Sequence, residues 1–194
     1  LKKKKFTLLP LSPLKNKKMS VTLTLSTDFG YVLIAAVALA FECIIIGFAA
    51  GGRRGKVFTE GFMEQFKEEH KKAFPEKDVP KGGYPDTGNG YFSRKLSYAD
   101  WVFFNNGQRA HYNFLEMIHF NILALLVAGI YFPLFSAAVG LVLFIARALY
   151  AFGYMSGGPQ GRLVGAILND LGVLAQVVTA IWAGIKFTQG VATA

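Results

Sequence analysis

Apolar positions gather into four long runs. The first is Tyr31 to Ala50, broken only by Glu42. The second is Met117 to Phe135, with His119 and Asn121 as its polar members and a helix expected to begin near Arg109. The third runs from Leu134 to Met155 and contains Arg147; the fourth runs from Ala166 to Phe187, with Asn169, Asp170 and Gln176 inside and Lys186 near its end. Each approaches or exceeds the roughly 18–20 residues that cross a bilayer. Core helices of soluble proteins show a polar face, whereas these runs are apolar nearly all round. The pattern predicts an all-α fold, an integral-membrane four-helix bundle.

Punctuation agrees. Gly51-Gly52-Arg53-Arg54 predicts the end of the first helix, with glycines followed by a basic stop. Tyr131-Phe132-Pro133 separates the second helix from the third so tightly that the two should be antiparallel neighbours. Gly157-Gly158-Pro159 predicts the end of the third, since proline cannot continue the hydrogen-bond ladder. The one long connection, residues 51–108, opens with Phe58, Phe62 and Phe66 at i, i+4, i+8 among charged residues. That spacing reads as a short amphipathic helix lying on the headgroups or docking its apolar face. Pro75, Pro80, Gly82-Gly83, Pro85 and Gly88-Asn89-Gly90 predict irregular chain after it.

Charge sets the topology. Of 21 lysines and arginines, seven lie in residues 1–18 and eleven in residues 53–109. Charged residues are only 17% of the chain, against about 25% in a soluble domain. The net charge of +9 therefore reads as membrane-flanking sequence, with no nucleic acid expected. The positive-inside rule places the long loop in the cytoplasm and both termini opposite. Lys2–Lys5, Lys15, Lys17 and Lys18 conflict with this. The conflict vanishes if residues 1–18 are upstream sequence and the native chain is a single domain of residues 19–194; a basic targeting segment is the alternative. A single cysteine, Cys43, excludes an intramolecular disulfide and a Cys-based zinc site, and reads as a packing residue. His70, His111 and His119 lack metal-ligand spacing, so no metal is expected.

Ionisable groups inside a span cost about 2.5–3.5 kcal/mol each on insertion scales, so each needs a partner or a task. Arg109, Asn113, Glu116 and Phe120 fall at i, i+4, i+7, i+11, one face of the second helix. Arg147, Tyr150 and Tyr154 share a face of the third. Facing each other, or a neighbouring subunit, they would form a pocket of two guanidiniums, a carboxylate, an amide and two phenols, with Arg162 just beyond. The purely structural alternative has Arg109 snorkelling and Glu116 paired with Arg147. As a ligand site it suits a small polar molecule with more negative than positive groups. Asn169 and Asp170 read as satisfying helix ends or a neighbouring subunit. Glu42 has no partner that the sequence can name.

The same residues carry a resemblance. Arg109-Ala110-His111-Tyr112-Asn113-Phe114-Leu115-Glu116 resembles the Arg-Ala-(His/Gln)-x-Asn-x-x-Glu signature of the membrane-associated proteins in eicosanoid and glutathione metabolism, the MAPEG family. Ala146 to Tyr154, followed by Gly157-Gly158-Pro159 and Arg162, resembles its second signature, in which Arg-x-x-Tyr-x-x-Gly-Tyr precedes a Gly-x-Pro turn and a basic residue. Phe29-Gly30-Tyr31-Val32-Leu33 is similar to the start of the type-3 microsomal glutathione transferases, the branch it resembles most. The resemblance implies a homotrimer with glutathione as co-substrate between subunits. It implies that Arg109, Asn113, Glu116, Arg147, Tyr150 and Tyr154 form the glutathione site, and that Arg162 activates the thiol. Arg53 or Arg54 matches an arginine that contributes in some members. Met117 stands where the leukotriene-forming synthase has tyrosine, the turn before Arg162 is one residue longer than the synthase's, and residues 57–104 exceed the usual first loop.

The implied function is a glutathione transferase, with peroxidase activity, in the endoplasmic reticulum or another intracellular membrane. Its partners would be membrane lipid and a lipophilic electrophile or lipid hydroperoxide. The alternative is a non-enzymatic member of the same fold, a lipid-binding scaffold or a subunit of a larger membrane complex. A small transporter is a third class; it would need polar groups along the bundle axis at several depths, which the sequence does not lead one to expect.

Overall fold

The computed structural model describes residues 23–84 and 86–190. The basic segment 1–18 lies outside them, as does the loop proline Pro85. The regular elements among the described residues are all helical: α1 (Phe29–Val57), α2 (Glu60–Met63), α3 (Lys67–Ala73), α4 (Tyr98–Gly129), α5 (Pro133–Gly161) and α6 (Leu163–Thr188), with short 3-10 turns at Glu64–Phe66 and Ser93–Lys95. The four long helices have the length and apolarity of membrane spans.

Two helices depart from the expected limits. α1 does not stop at Gly51-Gly52 but continues to Val57. An interior glycine costs only about 1 kcal/mol relative to alanine, and tertiary hydrogen bonds outweigh that. Arg53 donates to the carbonyls of Phe103 and Met155, both at 2.8 Å, and Arg54 donates to those of Gly82 and Gly83. α4 begins at Tyr98 rather than near Arg109. Ser97 caps it, accepting from the Asp100 N–H at 3.1 Å while its hydroxyl donates to the Asp100 carboxylate at 2.7 Å. The 32 residues of α4 extend about 48 Å at about 1.5 Å per residue. A hydrocarbon core is about 30 Å thick, so α4 projects well beyond it.

The ends fix an up-down bundle. The C-terminal part of α1 meets the start of α4 and the end of α5 through Arg53. At the opposite end, Val32 of α1 lies against Gly129 of α4. α4 and α5 each pack on both α1 and α6, so α1 and α6 flank the central pair. Val32, Leu39, Phe114, Leu125 and Leu143 fill the core between them.

The Phe58, Phe62 and Phe66 face turns inward instead of lying on headgroups. Phe58 meets Phe104 edge-on at 5.2 Å and Phe66 meets Phe92 edge-on at 4.8 Å. Val57, Met63, Phe92 and Phe104 complete a second core that seals the loop to α1 and α4. The docking reading of these phenylalanines is therefore the observed one.

Candidate functional site

The third helix ends as its punctuation implies, but with a kink that matters. Gly158 breaks regular geometry at φ 64°, ψ −153°, a left-handed backbone that only glycine adopts readily. The chain turns back through Pro159 to Gly161, and Arg162 returns over the tyrosines of α5. Close packing of α6 on α5 completes this turn. A Cβ on Gly165 would collide with the backbone of Tyr150, and one on Gly161 with the carbonyl of Gly153.

The result is a polar chain from α4 through α5 to the junction of α5 and α6. Arg147 Nη1 donates to Asn113 Oδ1 at 2.9 Å. The Arg147 guanidinium lies over the rings of Phe114, at 4.3 Å, and Tyr150, at 4.8 Å. Arg162 Nη1 donates to the Tyr150 hydroxyl at 3.0 Å, and Arg162 Nε to the Pro159 carbonyl at 3.3 Å. Arg162 also stands over both tyrosine rings, 5.6 Å from that of Tyr150 and 5.7 Å from that of Tyr154. Its hydrogen bond to Tyr150 raises an already high guanidinium pKa, so Arg162 is a permanent cation at the outer end of the chain.

Residues of the two motifs divide by exposure. Arg147 is 1% exposed and sits inside the bundle with buried Tyr150 and Tyr154; half-buried Asn113 is its hydrogen-bond partner nearer the surface. Arg109 and Glu116 are exposed on α4 on either side of half-buried Asn113. Among the described residues, neither Arg109 nor Glu116 takes part in an ion pair. The alternative pairing of Glu116 with Arg147 does not occur. The arrangement offers a recessed chain of donors and phenols ending in a cation, with a second cation and a free carboxylate on the helix face beside it.

A model of the MAPEG family matches residues 32–184. The chain belongs to the MAPEG family. The match reaches from α1 to α6 and includes both motifs. The family includes glutathione transferases and peroxidases alongside other members. With four apolar helices long enough to span, this MAPEG chain is an integral membrane protein.

In this MAPEG protein the two first-loop arginines take different tasks. Arg53 donates to Met155, next to Tyr154, and stacks on Phe103 at 4.3 Å, so it adjoins the site. Arg54 is bound to the Gly82-Gly83 turn and belongs to the loop. His111 packs against Gly47, where an added Cβ would lie 2.9 Å from its Nε2. Cys43 is buried in the main core, as a packing residue should be. Asn169 donates to the Asp170 carboxylate at 3.2 Å.

Buried polar groups do occur at several depths, contrary to expectation. Ser136 donates to the Leu125 carbonyl at 2.8 Å, and Gln176 Nε2 donates to the Ser136 carbonyl at 2.8 Å. Asn121 is also buried, with both amide atoms unpartnered among the described residues. The Ser136–Gln176 bonds join α5 to α6, the usual use of small polar residues between membrane helices. Sequence reasoning missed the place of Glu42 most completely. Its signal was plain, an acid in mid-span, but helix register is needed to find what faces it.

Proposed function

We propose that this protein is a membrane-bound glutathione transferase with glutathione peroxidase activity, similar to the type-3 microsomal enzymes. The observation that carries the reading is the Asn113–Arg147–Tyr150–Arg162 chain with Arg109 and Glu116 exposed beside it. Glutathione has two carboxylates and one ammonium. Arg109 and Asn113 suit the carboxylates, and Glu116 suits the ammonium. Tyr150 and Tyr154 line the floor, and Arg147 holds Asn113 and Tyr150 in place from behind. Arg109 and Glu116 face outward from the protomer, which favours a site shared between subunits of a homotrimer.

The thiol is the nucleophile only as thiolate, and a free thiol has a pKa of about 8.5. Arg162 would lower that value by stabilising the anion. The sulfur then attacks a lipophilic electrophile and expels its leaving group. With a lipid hydroperoxide it breaks the O–O bond, releasing the alcohol, and a second glutathione closes the disulfide with loss of water. Arg162 lies where a peptide from the cytoplasm and a lipid from the bilayer can meet, in the endoplasmic reticulum or another intracellular membrane with the long loop cytoplasmic. Calorimetry of the detergent-purified protein tests the reading. Binding of glutathione below millimolar concentration is expected; its absence would favour the scaffold.

A further inference from the structure

Glu42 belongs to neither motif, and the proposed function leaves it without a task. It is 6% exposed in the middle of α1, and neither carboxylate oxygen has a hydrogen-bond partner among the described residues. Register places it. Gly140 of α5 lies against Ala35 of α1, so close that an added Cβ would stand 2.9 Å from that of Ala35. The two helices run parallel. Seven residues further along each, about two turns, come Glu42 and Arg147, on the same faces at the same level.

α4 and α6 complete the layer. α4 supplies Asn113, which accepts from Arg147. α6 supplies buried Asn169, midway between Gly165, against Tyr150, and Gly172, against Leu143. Unpartnered in this layer are one donor, Arg147 Nε, and three acceptors, Asn169 Oδ1 and the two Glu42 oxygens. A water molecule accepts from one donor and donates to two acceptors, so a single water can join Arg147 Nε to Asn169 Oδ1 and one Glu42 oxygen.

We propose that Glu42 is the counter-charge of Arg147, joined to it through an ordered water that also reaches Asn169, and that it is a positioning residue for the site. It acts through Arg147 on Asn113 and Tyr150, and so on how glutathione is held; in that respect the inference rests on the proposed function. Carboxylate and guanidinium compensate each other in the apolar interior, where either alone would be driven to reorient.

A double-mutant cycle tests this. Glu42→Gln, Arg147→Gln and the double variant are purified in detergent, and glutathione Kd, melting temperature and steady-state kinetics with a chlorodinitrobenzene electrophile are measured. Glu42→Gln should weaken glutathione binding about tenfold, about 1.4 kcal/mol, in the Arg147 background and less than about twofold in the Arg147→Gln background. KM for glutathione should rise while KM for the electrophile stays, and Glu42→Asp should recover most of the loss. Equal losses in both backgrounds, or none, would overturn the proposal. If Glu42→Gln does not fold, a folded double variant supports the pair and an unfolded one refutes it. If the wild type binds no glutathione, the proposed function fails, and the melting temperatures alone decide. A double variant melting no lower than the singles then upholds the Glu42–Arg147 pair, and additive losses reject it.

Discussion

Replacing Arg162 by alanine separates binding from chemistry, because its two kinds of contact have different sizes. In the resting protein it gives one hydrogen bond to Tyr150 and stands 5.6 and 5.7 Å from two tyrosine rings. A net hydrogen bond contributes about 0.5–1.5 kcal/mol and a partly exposed cation–π contact about 0.5–1 kcal/mol. Its removal should therefore lower the melting temperature, by about 1.5–3.5 kcal/mol in stability for this bond and the two ring contacts. The interaction with a developing thiolate is charge-assisted and worth about 1.5–3 kcal/mol, or roughly 10- to 150-fold in rate. At about 1.4 kcal/mol per unit, that corresponds to a rise of about one to two units in the bound thiol's pKa. Turnover should fall by this factor with little change in glutathione affinity, since the interaction strengthens as the anion forms. Stopped-flow turnover, calorimetric affinity and ultraviolet titration of the thiolate give the three readings on one preparation. Arg162→Lys keeps the charge but loses the planar fork, so its rescue should be partial. Unchanged turnover together with an unchanged thiol titration would refute the assignment. Arg162 would then only anchor the start of α6, and Arg53, beside Tyr154 through Met155, would be the cation to test next.

Glu116→Gln should weaken glutathione binding by about 1.5–3 kcal/mol yet leave helicity and melting unchanged, because the exposed carboxylate has no ion-pair partner among the described residues; loss of the folded assembly with normal binding would make it structural. Gly165→Ala places a methyl against the backbone of Tyr150 and should cost about 1–3 kcal/mol in overpacking, read as a lower melting temperature; an unchanged one would show that α5 and α6 separate freely. Phe66→Ala empties a site that is 5% exposed in the loop core and should cost about 3–5 kcal/mol locally. Hydrogen exchange should quicken across residues 58–97 while α5 and α6 stay protected; equal quickening in α5 would mean that the two cores unfold as one.

The four spans and the two site faces were legible because they depend on local chemistry. An apolar run of bilayer length must bond its own backbone, and the helix is the solution available within one segment. Once helical, Arg147, Tyr150 and Tyr154 must share a face, as must Arg109, Asn113 and Glu116. The turn at Gly158 was legible for the same reason, since glycine before proline breaks a helix wherever it stands. Helix ends were less so. Gly51-Gly52 is a local stop signal that Arg53 and Arg54 override through carbonyls 28 to 102 residues distant in sequence. The start of α4 was hidden because Asn105, Asn106 and Gln108 blur the apolar pattern, although Ser97 and Asp100 held the cap. What faces what was decided by tertiary structure alone. Arg147 in the middle of α5 and Arg162 just past its end are both arginines of one motif, yet one is sealed in the bundle and the other is half-buried at its mouth. That Glu42 shares a level with Arg147 became visible only when Gly140 and Ala35 set the parallel register of α1 and α5. That register is the sum of many small packing contacts between helices, none of which is encoded at the position whose neighbour it determines.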